Sequence, residues 1–390
     1  MKKVRFGIIG CGGMGCGHAH AITQAKAKDF CLAGVSDTRS DKAQLAGEQY
    51  GLPWFKDDFE LMDSGLIDAV IIATPHYYHP PLAIYAARKG LHVLCEKPVA
   101  VAIGPARAMV KECAKAGVAF GVMFQQRNRA EMRKMKQMVD AGAVGEIFRI
   151  QMLCSNWYRT QSYYNSGAWR GTWDGEGGGI LLNQAPHSLD LFQWIGGMPK
   201  RILATLDTRH HDIEVENTAN ALLEYEGNKH GYIYATTAEA PGVEQLMVCG
   251  DKGTLIAEGG KLKFGKLNTS LKKHLLTAKA GFAAPVTTWS EVSLPNIQGT
   301  HINVVKAFVA RVLKGTPLTA TGEEGTHELE ISNAIYLSGF EHRAVELPVK
   351  AAEVEKLLNK LVRTRSTGKG GNMRQDANKL LTKLLGKYPA

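Results

Sequence analysis

Three polar side chains in the stretch 183–190 have the types and spacing needed to move a proton. Asn183 and His187 are four residues apart, and Asp190 lies three residues further on. Residues spaced by three and four share one face of a helix, so the three side chains would project together. A histidine suits the removal of a hydroxyl proton near neutral pH, and Asp190 could fix its tautomer. The alternative is a structural histidine in the core, with Asp190 as a helix cap or an interdomain partner.

Lys97 is the second catalytic candidate, because it follows an apolar run at 92–95 that predicts a strand. The loop 73–76 follows another such strand. In a parallel sheet the carboxyl ends of the strands meet where ligands bind, so both loops should face a cofactor. The alternative for Lys97 is a solvated surface lysine. The cofactor contacts predicted from these loops are Ala73, Thr74, Pro75, His76, His79, Glu96 and Lys97.

A glycine pattern ends the first apolar run of the chain and supplies the expected phosphate site. Residues 4–9 predict a buried strand, and Gly10, Gly12 and Gly15 then match Gly-x-Gly-x-x-Gly at the start of a helix. The first glycine permits the turn, the second lets the backbone approach a pyrophosphate, and the third lets helix and strand pack closely. The N–H groups at the helix start would bind the phosphates, although an ordinary flexible turn is the alternative. The predicted contacts are Gly10, Gly12, Gly13, Met14 and Gly15.

An acidic residue after the second predicted strand, 31–36, indicates which dinucleotide is bound. Asp37 lies about 20 residues after the last glycine, where a carboxylate binds the adenosine ribose hydroxyls and repels a 2′-phosphate. Asp37, with Thr38 and Arg39, is therefore predicted to bind the adenosine half of NAD. Arg39 leaves NADP open as the less favoured alternative, because a guanidinium can hold a phosphate.

Residues 157–173 combine aromatic rings with an arginine, ahead of three consecutive glycines at 177–179. Ring faces suit the C–H surfaces of sugars, and the glycines allow close approach of a ligand or another backbone. The alternatives are aromatic packing in the core and a surface ion pair of Arg170. The aromatic residues are Trp157, Tyr158, Tyr163, Tyr164, Trp169 and Trp173. The predicted substrate contacts are Lys97, Trp169, Arg170, Asn183 and His187.

Alternating short strands and helices must position the glycine loop and Lys97. Helices interleaved with apolar strands predict an α/β fold with a parallel, doubly wound sheet, that is, a Rossmann domain at 1–125. A connecting helix is expected at 129–141. The predicted strands of this domain are 4–9, 31–36, 69–73, 92–95 and 119–124.

The pattern changes after residue 146, where strand-like runs are separated by short Gly, Asn or Asp turns. This predicts a C-terminal α/β domain at 126–355 with a largely antiparallel open sheet. One helix, at about 179–195, interrupts the strands and would carry the three polar side chains described first. The segment 267–289 has no clear period and is interpreted as loop with an uncertain helix, whereas 366–375 is interpreted as a flexible linker.

Composition limits the classes of function. With 45% hydrophobic and 22% charged residues the chain is globular, and much of its net charge of +10 lies in a tail at 356–390. We therefore expect a solvated or interface-forming tail and no nucleic-acid binding. No apolar run is long enough for a membrane span, and the seven cysteines lack disulfide or metal-ligand spacing, which favours a reducing cytoplasm and no metal. The basic tail residues are Lys360, Arg363, Arg365, Lys369, Arg374, Lys379, Lys383 and Lys387.

The glycine loop, Glu96-Lys97-Pro98 and the glycine-led segment ending in His187 and Asp190 together resemble the Gfo/Idh/MocA family of glucose-fructose oxidoreductases and inositol dehydrogenases. The resemblance covers residues 4–350. It implies a homodimer or homotetramer built through the second sheet, and pyridine-nucleotide redox chemistry on sugars, cyclitols or their relatives. It also implies that Lys97 and His187 are catalytic. Asn183 departs from the aspartate usual in the inositol dehydrogenase type; an amide cannot act as a general base but can bind a hydroxyl.

The favoured hypothesis is an NAD-dependent dehydrogenase that acts on a secondary hydroxyl of a sugar, glycoside or cyclitol. His187 would take the hydroxyl proton and Lys97 would stabilise the alkoxide. One alternative is a glycosidase that retains NAD and uses transient oxidation. Another is a noncatalytic ligand sensor on the same scaffold.

Overall fold

The computed structural model describes residues 3–386 of the chain. Six parallel strands form its first sheet, namely β1 (Val4–Ile9), β2 (Phe30–Ser36), β3 (Trp54–Phe55), β4 (Ala69–Ile72), β5 (His92–Cys95) and β6 (Phe120–Val122). Their order is β3-β2-β1-β4-β5-β6, which is that of a dinucleotide-binding doubly wound fold. The predicted Rossmann sheet is confirmed.

Helices cover both faces of this sheet, so its strands are apolar on both sides. Ile8 and Ile71 pack into one apolar cluster, while the neighbouring Ile9 and Ile72 pack into the other. This double burial explains why the strands are continuous apolar runs in the sequence. The short elements β3, α2 and α3 were not predicted. The helices are α1 (Gly13–Gln24), α2 (Ser40–Tyr50), α3 (Asp58–Asp63), α4 (His79–Arg88) and α5 (Ile103–Ala116), followed by the connecting helix α6 (Ala130–Asp140).

A second sheet of nine strands follows. Only β7 and β10 pair in parallel and all other pairs are antiparallel, which confirms the predicted largely antiparallel sheet. The order is β14-β13-β12-β11-β7-β10-β9-β8-β15. The strands are β7 (Ile147–Cys154), β8 (Arg201–Asp207), β9 (Thr218–Glu224), β10 (His230–Thr236), β11 (Glu244–Gly250), β12 (Gly253–Glu258), β13 (Lys261–Leu267), β14 (Thr287–Glu291) and β15 (Val345–Glu346).

The helix predicted at 179–195 is shorter than expected. After the short helix α7 (Gln161–Asn165), residues 180–184 form turns and the helix α8 spans only Pro186–Gly196. The Glu216 carboxylate accepts hydrogen bonds from the backbone N–H groups of Gly179 and Leu181. These bonds hold the turn that precedes the helix, and α8 begins at Pro186, which has no N–H to donate and is suited to a first turn. Asn183 therefore lies in a turn and not on the helix of His187.

The C-terminal part of the chain is folded against the rest of the molecule. Two of its helices, α12 and α13, bury apolar faces, and α13 packs on α4 of the first unit. The linker predicted at 366–375 is wrong, because Thr367 is bound to the Glu214 carboxylate and the chain enters α13 at Met373. Lys387 lies outside the described residues. The remaining helices are α9 (Leu271–Thr277), α10 (His301–Lys314), α11 (Gly322–Glu341), α12 (Ala351–Arg365) and α13 (Met373–Leu385).

The first unit, which is the six-stranded sheet with its helices, and the second unit, which contains the nine-stranded sheet, share one apolar core. A continuous cluster of buried side chains runs from β4 and α5 through α8 and α11 into the second sheet. The division of the chain at residues 125 and 355 stays a prediction. Among residues 3–386, no helix is long and apolar enough to cross a membrane.

Candidate active site

The loop between β1 and α1 is shaped by glycine. Gly10 has a φ of 95°, and a side chain there would lie 2.7 Å from the carbonyl oxygen of Ala73. A Cβ atom on Gly15 would overlap the carbonyl oxygen of Gly10, so helix and strand pack closely there. Gly12 and Gly13 instead have no protein atom within 4 Å of an added Cβ. Since no side chain caps α1, its first N–H groups face open space that fits a diphosphate.

Asp37 stands at the end of β2, beside the glycine loop. Its carboxylate accepts hydrogen bonds from the backbone N–H groups of Cys11 and Arg39, each at 2.8 Å. The Arg39 guanidinium turns to Asp41, with an N–O distance of 2.7 Å, and both side chains are exposed. Asp58 lies nearby and accepts a hydrogen bond from the Ser36 hydroxyl at 2.7 Å. Burial raises the pKa of Asp58 to about 6. Asp37 and Asp58 therefore place two carboxyl groups beside the end of β2.

The loop 73–79 lies beside the glycine loop and contains an unsatisfied buried atom. The hydroxyl oxygen of Thr74 is buried without a hydrogen-bond partner among residues 3–386, so a polar ligand would fit there. His76 contacts the backbone oxygen of Glu176 through Nδ1 at 3.0 Å. Both ring nitrogens of His79 lie 2.9 Å from backbone oxygens, those of Pro98 and Thr74. His79 is completely buried and links the two loops.

Lys97 reaches from β5 across to the second unit. Its Nζ donates a hydrogen bond of 2.8 Å to the backbone oxygen of Asn183. Burial lowers the pKa of Lys97, and the carboxylates of Glu96, Glu328 and Glu176 oppose this change. Lys97 is half-buried and its ammonium is bound to the second unit, so the interpretation of Lys97 as a solvated surface residue does not describe it.

The neighbouring Glu96 is held from the opposite side by α1. Its Oε1 lies 2.7 Å from His18 Nε2. Burial would raise the pKa of Glu96, but the hydrogen bond and charge of His18, together with Lys97 and His301, lower it to about 2. Glu96 is therefore ionised and provides a fixed negative charge behind Lys97.

His187 lies in the first turn of α8 and is buried. Burial and the charge of Lys97 lower the pKa of His187 to about 3, so the ring is neutral at physiological pH. Its Nε2 lies 3.2 Å from the side-chain nitrogen of Gln125. Neither His187 Nδ1 nor Gln125 Oε1 has a partner among the described residues, although both atoms are buried. Buried polar atoms without a partner suit a polar ligand that supplies the missing hydrogen bonds.

Asp190 does not orient His187, contrary to the expectation from their spacing. Both carboxylate oxygens of Asp190 accept hydrogen bonds from the Arg127 guanidinium, at 2.7 and 2.6 Å. Arg127 also donates a hydrogen bond of 2.8 Å to Glu324 on α11. A bidentate pair with an arginine is a strong interaction for a buried carboxylate. Through Arg127, Asp190 therefore connects α8 to residues 125–128, which precede α6, and to α11.

Asn183 and the aromatic stretch form the wall opposite Lys97. The Asn183 amide nitrogen contacts the Glu176 carboxylate and lies 3.3 Å from the Tyr163 hydroxyl. Arg170 stacks on the rings of Tyr163 and Trp169 and donates a hydrogen bond of 2.6 Å to the Tyr163 hydroxyl. The interpretation of Arg170 as a surface ion pair therefore does not describe its contacts.

The other aromatic residues divide between the site and the core. Trp169 packs edge-on against His76, with ring centres 5.8 Å apart, and therefore borders the loop that faces the cofactor position. Trp173 is completely buried against Tyr336 and Phe340, and the hydroxyl of the buried Tyr164 binds that of Thr237. Core packing is thus the correct interpretation for Trp173 and Tyr164.

Three further residues join this site without having been predicted. Glu176 contacts Asn183, Gln125 contacts His187, and Glu328 lies close enough to Lys97 to affect its pKa. Only Glu176 carried a signal in the sequence, as an acidic residue directly before the three glycines. Gln125 and Glu328 lie on segments with no catalytic pattern.

The fold and the site define a class of protein, a two-domain oxidoreductase in which a Rossmann sheet supplies the cofactor loops and Lys97. A second, sheet-based domain supplies His187 and Asn183. The chain belongs to the Gfo/Idh/MocA family. Residues 4–124 match the model of the oxidoreductase family with an NAD-binding Rossmann fold, and residues 132–256 match that of the GFO/IDH/MocA C-terminal domain. The predicted family and its NAD cofactor are confirmed.

Relatives are similar over almost the whole chain. D-apiose dehydrogenase of Paraburkholderia graminis is 25% identical, with 90% of this chain and 92% of that protein covered. Myo-inositol 2-dehydrogenase of Thermotoga maritima is also 25% identical, covering 88% and 98%. The crystal structure of the WlbA dehydrogenase from Bordetella pertussis with NADH and UDP-GlcNAcA superimposes with a TM-score of 0.76 at 28% identity, over 89% of this chain and all of that chain. The chain is therefore an NAD-binding oxidoreductase of the type that includes sugar and cyclitol dehydrogenases.

Proposed function

We propose that this protein oxidises a secondary hydroxyl of a sugar, glycoside or cyclitol, with NAD as the hydride acceptor. The observation that carries the proposal is the meeting of the two units at Lys97: its ammonium, from the first unit, donates a hydrogen bond to the backbone of Asn183 in the second, and its charge acts on the ring of His187. The names of the relatives support a polyol substrate, since they include dehydrogenases of apiose and of myo-inositol.

The side chains of the site have complementary roles in this reaction. His187 is neutral, so a ring nitrogen can accept the hydroxyl proton of the substrate. The Lys97 ammonium stabilises the negative charge that develops on the same oxygen. Asn183 binds a neighbouring hydroxyl. When bound, NAD supplies the carbon that receives the hydride.

We also propose that the cofactor is NAD rather than NADP. A 2′-phosphate on the adenosine ribose would meet the carboxylate of Asp37, with Asp58 behind it, while Arg39 is paired with Asp41. Like charges in a partly buried site disfavour each other, and Arg39 would have to leave its partner to compensate. The proposed cofactor contacts remain those of the glycine loop, of residues 37–39 and of the loops 73–79 and 96–97.

We also propose that the protein is cytoplasmic and forms a homo-oligomer, and the open second sheet supports the oligomer. Leu203 on β8 and Leu222 on β9 are directly opposite each other and are 49% and 58% exposed. Exposed apolar pairs on a sheet face suit burial against a second copy of the chain. Light scattering of the purified protein at several concentrations tests for a dimer or tetramer, and a monomer throughout would contradict it.

A substrate screen tests the proposed reaction. Purified protein is mixed with NAD, or in parallel with NADP, and with a panel of sugars, glycosides and inositols, and the absorbance of NADH is followed. We expect net NADH formation with at least one compound, its loss in His187→Ala, and its retention in His274→Ala, which removes a half-buried imidazole on α9 that contacts the backbone of Ala283. A protein that binds NAD but converts no compound would contradict the proposal. Turnover of a glycoside without net NADH would instead indicate a closed redox cycle.

A further inference from the structure

The amide of Asn183 is held in one orientation by its surroundings. Its nitrogen faces the carboxylate of Glu176 and the hydroxyl of Tyr163, two groups with lone pairs to offer. The backbone oxygen of Asn183 is occupied by Lys97. No hydrogen bond to the side-chain oxygen occurs among residues 3–386, and the residue is only partly buried. The oxygen end of the amide is therefore the end available to a ligand.

Glu176 is itself rigidly placed. Its side chain is buried, and Oε2 accepts a hydrogen bond of 2.6 Å from the backbone N–H of Gly171, while Oε1 contacts the Asn183 amide. Its backbone oxygen is bound by His76 of the first unit. With one oxygen occupied by the backbone, the other oxygen has Asn183 as its partner.

We propose that Glu176 is a positioning residue for the substrate, because it fixes the Asn183 amide with the nitrogen inward and the oxygen toward a substrate hydroxyl. An ionised carboxylate can only accept hydrogen bonds, so it selects the nitrogen of the amide as its neighbour. The carboxylate that the inositol dehydrogenase type has at position 183 is thus replaced by an amide with a carboxylate behind it. The part of this proposal that concerns the substrate rests on the proposed function.

Protonation of Glu176 would reverse the arrangement. Burial raises the pKa of Glu176 to about 7, against the hydrogen bonds of Gly171 and Asn183 and the charges of Arg170 and Lys97. Above this pH the carboxylate accepts from the amide nitrogen. Below it, the carboxyl O–H can donate a hydrogen bond to the amide oxygen, which then turns inward and is lost to the substrate. The groups that face Glu176 from the surrounding elements are Lys97, His76, Arg170, Tyr163, Tyr164 and Tyr336.

The first experiment needs no substrate. The side-chain amide signals of Asn183 are followed by NMR between pH 5.5 and 8.5 in protein labelled with [15N]asparagine, and Asn183→Asp identifies the signals by their absence. We expect them to shift with a midpoint near 7 in the wild type and to lose this titration in Glu176→Gln. Glu216→Gln is the matched control, because Glu216 is also buried with a pKa raised to about 7 but binds the backbone and Tyr336 instead of Asn183.

An Asn183 signal that does not titrate in the wild type, or that still titrates in Glu176→Gln, would overturn the inference. Thermal unfolding of each variant shows whether it is folded. If Glu176→Gln is not folded, the wild-type and Glu216→Gln titrations still decide: a midpoint near 7 in both supports the inference, and its loss in the control contradicts it.

The second experiment uses a substrate from the screen. Removing a hydrogen bond to a charged group costs about 10-fold to 100-fold, so Glu176→Gln should lower kcat/KM by that factor, mainly through KM, with unchanged NAD affinity. The loss of kcat/KM as pH falls through about 7 should disappear in the same variant. In Asn183→Asp two adjacent carboxylates would share a site and shift the acid limb to higher pH. The double variant Glu176→Gln with Asn183→Asp again has one carboxylate and should recover most of the activity.

A double variant no more active than the worse single variant would overturn the substrate part of the inference. The two experiments keep this inference separate from the proposed function. If the Asn183 amide titrates but no compound is converted, the proposed reaction is contradicted and the positioning of Asn183 by Glu176 is still supported. If the protein has dehydrogenase activity but the Asn183 amide does not titrate, the proposed reaction is supported and the positioning by Glu176 is contradicted.

Discussion

The site has a cofactor end, around the glycine loop, and a substrate end, around Lys97, Asn183 and His187, and the two ends are built in different ways. At the cofactor end, the main constraints are backbone shape and space: Gly10 and Gly15 bring strand and helix together, and Gly12 leaves room. At the substrate end, buried charges hold the reactive side chains, as Arg127 holds α8 through Asp190. We therefore expect the stability of the cofactor end to depend mainly on space at Gly10 and Gly15 and little on charge. The substrate end should behave in the opposite way.

Lys97→Met gives the largest expected effect on the reaction. The change keeps the length of the side chain but removes the charge that stabilises the substrate oxygen. Loss of one such donor typically lowers kcat by about 100-fold to 1,000-fold. Steady-state kinetics with the substrate from the screen measure this loss, and titration of NAD binding provides the control. A normal kcat in this variant would show that Lys97 does not stabilise the substrate oxygen.

Arg127→Met tests whether buried charge holds the substrate end together. The substitution leaves the buried Asp190 carboxylate without its partner, and removing one member of such a pair costs about 3–5 kcal/mol of unfolding free energy. Urea denaturation at neutral pH measures the loss. The double variant Arg127→Met with Asp190→Leu should regain part of the stability, since the fully buried carboxylate is then removed and only the partly exposed Glu324 is left without its partner. If the single variant were as stable as the wild type, the contrast between the two ends would be wrong.

Gly15→Ala and Gly12→Ala form a matched pair at the cofactor end. A methyl group on Gly15 overlaps the backbone of Gly10 and should cost about 3 kcal/mol, at the upper end of the range for overpacking. A methyl group on Gly12 meets no protein atom, so the stability of the cofactor-free protein should not change. It would instead fill the space that a diphosphate approaches and weaken NAD binding. Thermal unfolding and NAD titration separate the two effects. If the two variants lost the same amount of stability and of NAD affinity, Gly15 would not have a packing role distinct from the cofactor-binding role of Gly12.

The same contrast explains what could be predicted from the sequence. Strands β1 and β5 were placed with their observed bounds, because strands buried on both faces are continuous apolar runs with clear ends. The glycine loop and Asp37 could be identified because their signals lie within a short stretch of chain. The cofactor end is local in the sequence, and local patterns are sufficient to find it.

Much of the substrate end could not be predicted, because its contacts join distant segments. The spacing of His187 and Asp190 suggested that they were partners, but Arg127, 63 residues away, binds the carboxylate instead. The turn before α8 is bound by Glu216, which lies in another part of the chain. In the same way, the contact of Thr367 with Glu214, 153 residues apart, turns an expected flexible linker into a fixed segment. Such pairs leave no periodic pattern.

Asp37→Asn has the smallest expected effect, and it examines the one place where charge matters at the cofactor end. The amide can still accept a hydrogen bond from the loop but no longer repels a 2′-phosphate. The ratio of kcat/KM with NAD to that with NADP should fall about 10-fold, which corresponds to roughly 1.4 kcal/mol, the size of a single charge interaction near the surface. Arg39→Gln should change this ratio much less, because the guanidinium is paired with Asp41. If Arg39→Gln changed the ratio more than Asp37→Asn, the choice of cofactor would depend on the arginine and not on the carboxylate. Ion pairing would then decide the function of both ends of the site.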